Sequence, residues 1–415
     1  MRRKTTSMQN GPIDALCTAV MPKVINWRRD IHEHPELSNR EFRTAALVAG
    51  HLEGLGLEVR TKIAHTGVVG LLIGAEDGPL IALRADMDAL PVEEETGLGF
   101  ASTVRGEHEG RDVGVMHACG HDAHVAILMG VAETLVGIRD DLRGSVMFIF
   151  QPAEEGAPEG EEGGAELLLE EGLFDERVPD AVLGLHVTSA YETGTINVTP
   201  GPMMAAVDTF RITVRGKQTH GAYPWRGIDP IVISAQIIMA LQTIPSRQIN
   251  SLVSPAIVTV GSIHGGVREN IIPDEVELIG TLRALDAEVR TELRERVRRT
   301  AESIAASAGA TAEVRIRRGY PIVDNDADLL DRLMPAFERV AGEGNVSRIR
   351  PVLGAEDFSF FQEKAPGVYF FIGVRPKDVA FENAAPNHSP KFFVDEEGLG
   401  TGVRALVHST LDLMG

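Results

Sequence analysis

Cysteine is nearly absent from this 415-residue chain, with Cys17 and Cys119 the only two. Two thiols a hundred residues apart make no disulfide framework, and a reactive thiol among histidines suits a reducing compartment. Long apolar runs are missing as well. No window approaches ~18 consecutive apolar residues, and the basic opening M-R-R-K-T-T-S-M-Q-N is followed by no apolar stretch of the secretory kind. Neither membrane spanning nor secretion is supported, and a cytoplasmic location is expected. Basic residues are the minority, 40 against 60 acidic, for a formal charge of −20. That balance favours solubility and excludes a general nucleic-acid binder. It leaves anionic substrates open, because a bound metal ion dominates its local field. Aromatic residues are few, at 5%, and mark out no substrate pocket by themselves.

The remaining composition, 43% apolar and 24% charged, is that of an ordinary globular protein. The length exceeds what one hydrophobic core sustains, so two domains are expected. Helical spacing occupies 13–31, 40–52, 123–136 and 165–171, while 57–61, 68–73, 80–85, 145–150 and 181–185 are short apolar runs that read as strands. Helices alternating with continuous apolar strands predict an α/β domain with a largely parallel sheet. From about Met203 the pattern changes. Strands at 206–215, 256–263, 275–285 and 312–318, with helices at 230–244 and 287–308, follow the order β-α-β-β-α-β. That is the split unit of ferredoxin-like domains. The expected division is therefore a catalytic domain from 1–202 and 319–415, interrupted by an inserted domain at 203–318. The catalytic part then resumes with a helix at 329–341, a strand at 368–373 and a terminal helix at 399–414. The glutamate-rich stretch 154–162 reads as a loop, and the chain shows no internal repeat.

Residues 116–124, M-H-A-C-G-H-D-A-H, place three histidines, a cysteine and an aspartate in nine positions. Glu154 and Glu155 follow in Q-P-A-E-E-G, His186 in G-L-H-V and His388 in N-H-S-P-K-F. Thiolate, imidazole and carboxylate are the donors of a borderline-soft divalent ion such as zinc. Cys119 and His121 are two residues apart, so a turn must aim both at one ion, and Gly120 permits it. Glu154 and Glu155 lie just past one strand and His186 ends another, where ligands gather in open α/β sheets. Two adjacent carboxylates can divide the work, one binding metal and the other taking the proton of an activated water and passing it to a leaving amine.

A rival reading makes Cys119 a nucleophile activated by His117 or His121, but it leaves the glutamate pair, His186 and His388 without roles. Asp86 and Asp88, at the end of a strand, either orient a ligand histidine or form a turn or helix cap. Asp122 and His124 read as supports of the cluster or helix-start residues. His32, His34, His51, His65, His108, His264 and His408 have no ligand-like context and are expected to cap, pack or face solvent. His220, after a strand and before G-A-Y-P, reads on its own surroundings as a structural loop histidine.

Eight segments in order resemble the aminoacylase-type metallopeptidases, specifically their N-acyl-amino-acid amidohydrolase (hippurate hydrolase) subgroup. They are W-R-R-D-I-H-E-H-P-E-L-S, L-R-A-D-M-D-A-L-P, M-H-A-C-G-H-D-A-H, Q-P-A-E-E-G, G-L-H-V, G-V-R-E-N-I-I-P-D, G-A-E-D-F and N-H-S-P-K-F. The resemblance implies a pair of divalent ions (zinc, manganese, nickel or cobalt) held by Cys119, His121, Glu155, His186 and His388, with Glu154 as general base. It implies an inserted domain that mediates dimerisation, so a homodimer or larger homo-oligomer. It further implies that His220 reaches a neighbouring subunit's site to stabilise an oxyanion, and that Asn270 helps hold a small N-acyl amino acid. Lys217, Gln218 and Thr219 stand where the family more often has glycine pairs, a departure that touches the loop's shape. The expected reaction is metal-dependent amide hydrolysis. A di- or tripeptidase and a non-catalytic metal-dependent binding protein are the alternatives.

Overall fold

Strands that are apolar along their whole length need cover on both faces, and the first unit of the chain is organised around that requirement. The computed structural model describes residues 10–252 and 254–415; the basic opening at 1–9 lies outside them. Two units are distinguished. The first comprises the chain up to Gly201 with Asn325–Ile349 and Phe360–Gly415, and the second Pro202–Asp324 with Arg350–Ser359.

The first unit holds an eight-stranded mixed sheet, ordered Glu58–Ile63, Gly67–Ile73, Arg143–Gln151, Glu76–Asp86, Ala181–Glu192, Gly367–Arg375, Ile196–Val198, Val346–Arg348. Its four central strands are mutually parallel. Antiparallel pairs flank them on both sides. The helix His121–Val136 is buried along nearly its whole length, and Glu397–Met414 buries most of its residues too. Leu83, Phe148, Phe150, Leu183 and Phe370 of the central strands are fully buried or nearly so, as is expected of a sheet covered by helices.

Two local outcomes bear on the site. The strand expected to end at His186 runs on to Glu192, and Val187 and Thr188, both β-branched, favour that extended backbone. It pairs with Glu76–Asp86 only as far as Gly184, and with Gly367–Arg375 in register to Thr188 and, after a register shift, at Glu192. His186 therefore lies mid-strand, two residues past the last residue of its strand that pairs with Glu76–Asp86. The helix expected from 123 begins at His121, which brings His121 and Asp122 into its first turn.

The second unit is a four-stranded antiparallel sheet, ordered Ala256–Gly265, Glu275–Ala284, Ala206–Arg215, Thr311–Arg318. Helices Pro230–Leu241 and Ala287–Ser307 join its strands in the β-α-β-β-α-β order. Phe210, Ile212, Leu278 and Leu282 of the sheet form one core with Ile233, Ile237, Leu293 and Val297 of the helices. The helix starts are chemically marked. Asp229 accepts from Ile231 and Val232 N–H ahead of Pro230 at the first helical position, and Asp286 accepts from Val289 N–H. The segment Arg350–Ser359, far along the chain, groups with this unit.

Candidate active site

The carboxyl ends of Glu76–Asp86 and Arg143–Gln151 lie side by side, since Asp86 pairs with Gln151 in parallel register. The chain leaving each of these ends carries chemistry: Asp88 two residues past the first, Glu154 and Glu155 three and four past the second. Gly120 ends the loop that brings Cys119 in. Its φ of +95° is left-handed, and a Cβ there would stand 2.4 Å from Val187 Cγ2. Gly120→Ala is expected to cost about 1–3 kcal/mol in strain and to lower metal content. Unchanged thermal unfolding and unchanged metal stoichiometry would show that the turn tolerates a side chain.

The predicted donors of the first unit converge. Cys119 Sγ is 3.2 Å from both His186 Nε2 and His388 Nε2. His388 Nε2 is 3.1 Å from Glu155 Oε1. His121 Nε2 lies 4.0 Å from carboxylate oxygens of both Glu154 and Glu155. Donor atoms of Cys119, His121 and His186 all fall within 4.8 Å of one another, as do those of Cys119, Glu155 and His388, and those of His121, Glu154 and Glu155.

Hydrogen bonds on the far side of each ring decide which nitrogen faces the cluster. His121 Nδ1 donates to the Asp88 carbonyl at 2.8 Å, and its buried Nε2 has no hydrogen-bond partner. His186 Nδ1 donates to the Val187 carbonyl at 2.8 Å, so its Nε2 presents a lone pair toward Cys119. His124 is used up differently: Val187 N–H donates to its Nε2 at 2.9 Å, leaving Nδ1–H for Asp86 at 2.6 Å. Asp86 in turn accepts from Arg84 at 2.6 Å. Asp88 accepts from the backbone N–H of both Glu154 and Glu155 at 3.0 Å and from Ser38 at 2.8 Å. The two aspartates thus act on histidines and on the glutamate loop, not as helix caps.

The electrostatics suit a cation. Burial opposes a charge on His121, but the Asp86 and Asp88 carboxylates outweigh it and raise its pKa to about 10. Burial, followed by the charges of Glu155, Glu154 and Asp86, pushes the Cys119 thiol well above its ordinary range. A thiol so placed stays protonated unless a cation joins it, which is the opposite of an activated nucleophile. Burial and the neighbouring His124 keep His186 neutral. An orphaned imidazole nitrogen, a thiol and carboxylates facing one point fit a divalent metal ion.

Three supports went unseen in the sequence reading. Asn387 donates to the carbonyls of Cys119 at 3.0 Å and Val187 at 3.1 Å, tying the loop of His388 to both neighbouring donors; its place beside a histidine was the available signal. His388 itself adopts a left-handed φ of +70°, with its N–H on the Ala118 carbonyl. His32, expected only to cap, pack or face solvent, is buried between Asp122 at 2.8 Å and Glu94 at 3.1 Å. Asp122 also accepts from buried Arg28 at 2.7 Å.

His220 and Asn270 belong to the second unit. The two-residue strands Thr219–His220 and Ile271–Ile272 pair antiparallel, and Gly221 N–H donates to the Asn270 carbonyl at 2.8 Å. Gln218, Arg268 and Ile271 line a shallow groove with them. Arg268 is a further basic group there that the sequence reading passed over.

Such a donor set at the strand ends of a mixed α/β unit, accompanied by an antiparallel α/β unit, defines a metallohydrolase class. A model of peptidase family M20/M25/M40 matches residues 82–412, and the chain belongs to that family. It is 45% identical over 390 residues to thermostable carboxypeptidase 1 of Saccharolobus solfataricus, covering 94% of each chain. It is 38% identical to an N-acetyl-L-cysteine deacetylase of Bacillus subtilis, covering 95% of this chain and 88% of that one. The solved structure of the Bacillus subtilis YXEP protein, a dinuclear metal-binding peptidase of the M20 family, matches with a TM-score of 0.79 at 37% identity. That match covers 96% of this chain and 99% of that one. The chain is accordingly a hydrolase of amide bonds, and no helix among its described residues is long and apolar enough to cross a membrane.

Proposed function

We propose that this protein hydrolyses the amide between an acyl group and the nitrogen of an amino acid, releasing a carboxylate and the free amino acid. The observation that carries the reading is the glutamate pair on a loop clamped by Asp88, with Glu155 among the donors and Glu154 alongside. Cys119, His121, Glu155, His186 and His388 would hold two divalent ions. Zinc, manganese, nickel and cobalt all suit a mixed thiolate, imidazole and carboxylate set. When bound, the ions lower the pKa of water and polarise a carbonyl oxygen. Glu154 takes the proton of the attacking water and delivers it to the departing nitrogen. His220 donates to the developing oxyanion, and Asn270 holds the substrate.

The names of the relatives favour this bond. A carboxypeptidase and an N-acetylcysteine deacetylase both cut an amide whose nitrogen belongs to an amino acid, so a peptidyl acyl group is the second reading. Beside Glu155 a cleft combines apolar Leu37, Leu90 and Pro158 with the charged Arg40, Glu107 and Glu159, so it offers one substituent both apolar and polar contact. In the second unit, Ile231, Val232 and Met239 of one helix are exposed, and Ala256–Gly265 is an edge strand. These features support association with a second copy through that unit.

The test is a panel of benzoylglycine, N-acetyl amino acids and dipeptides, given to metal-stripped protein with and without zinc, manganese, nickel or cobalt. Metal-restored release of the amino acid is expected, and no cleavage by verified metal-loaded protein would overturn the reading. Loss of His388, which touches both Cys119 and Glu155, is expected to lower bound metal per subunit. A His388→Ala variant with wild-type metal stoichiometry would remove it from the ligand set.

A further inference from the structure

Ala153 is buried and sits at a φ of +54°, a left-handed conformation that a residue with a Cβ resists. Something must hold it there, because Glu154 follows directly and its direction depends on that turn. The holding group is a carboxylate 112 residues away. Glu41, fully buried, accepts from Ala153 N–H at 3.0 Å and from Asn39 N–H at 3.0 Å through the same oxygen. Its other oxygen accepts from the buried Thr66 hydroxyl at 2.6 Å. The next two N–H groups, of Glu154 and Glu155, are taken by Asp88. Three successive backbone donors are thus distributed over two buried carboxylates, and the loop has little freedom to relax toward an ordinary φ.

We infer that Glu41 is a positioning residue for the reaction: by fixing Ala153 in its left-handed turn it sets where the Glu154 carboxylate stands. The inference rests on the reading of Glu154 as the base. Burial, followed by the nearby Asp88 charge, pushes Glu41 up to about 8, so a neutral side chain of the same shape is a reasonable mimic. Glutamine can place its carbonyl oxygen on both backbone N–H groups while its amide donates to Thr66, whose hydroxyl can turn to accept. Alanine offers no acceptor. Aspartate keeps the acid but is a methylene shorter.

The experiment compares steady-state kinetics, metal content and thermal unfolding of wild type, Glu41→Ala, Glu41→Asp, Glu41→Gln and Glu154→Gln on one substrate the wild type cleaves. Turnover per metal-loaded subunit is expected to fall by up to ~10² in Glu41→Ala, the scale of a misplaced catalytic group. KM and metal content should stay near wild type, and Glu41→Gln should recover most of the loss. Should Glu41→Ala not fold, Glu41→Asp carries the same expectation. A lower unfolding temperature with wild-type turnover per folded subunit would overturn the positioning role. So would a Glu41→Gln variant as impaired as the alanine. Wild-type turnover in Glu154→Gln would instead overturn the base assignment, an outcome visible independently of the Glu41 series.

Discussion

Glu154→Gln is expected to lower turnover by ~10²–10⁴ while metal content stays at the wild-type level. The separation follows from the loop's construction. Glu154 and Glu155 are both held by backbone N–H bonds to Asp88, which a side-chain amide does not disturb. Glu155 stays within 3.1 Å of His388, so the donor cluster survives. What disappears is a carboxylate that can receive a proton and return it to a leaving nitrogen. Steady-state turnover measured beside metal analysis of the same preparation checks the point. Turnover within a few-fold of wild type would mean that another group handles the proton, and an equal loss of metal would place Glu154 among the ligands.

Much of this arrangement could be read from the amino acids because it obeys short-range rules. The central strands are continuous apolar runs, and the second unit alternates with period two before its aspartate-capped helices, so the α/β class and the β-α-β-β-α-β order were legible. The cluster around Cys119 was legible because cysteine, histidine and glutamate are seldom needed together in a core. What stayed hidden depends on long-range pairing. Ile196–Val198 and Val346–Arg348 are too short to show a period, and they pair with each other in parallel register. Asp86 and Asp88 could not be divided between capping and support, since their partners, His124 and the N–H groups of 154 and 155, are set by sheet register. Asn387 bridges to Cys119 across 268 positions. Glu41 acts on Ala153 across 112. Local pattern carries no trace of the second, and of the first only that Asn387 stands beside a histidine.

His220→Ala is expected to cost ~10²–10³ in turnover, the scale of one lost oxyanion donor. The tautomer supports that role. Ala222 N–H donates to His220 Nδ1 at 3.0 Å, so the neutral ring carries its proton on Nε2, and the residue is exposed. The short ribbon with Ile271–Ile272 fixes the backbone, which alanine preserves, leaving a missing donor rather than a collapsed loop. If His220 serves a neighbouring subunit, mixing two crippled variants separates the arrangements. In a heterodimer of Glu154→Gln and His220→Ala chains, the site on the His220→Ala chain keeps its own Glu154 and receives an intact His220 from its partner. One site in two recovers, while the other lacks both groups. If each chain uses its own histidine, every site lacks one group and no activity returns. Recovery toward half the wild-type rate in verified heterodimers is the expected result, and its absence would assign His220 to its own chain's site or to none.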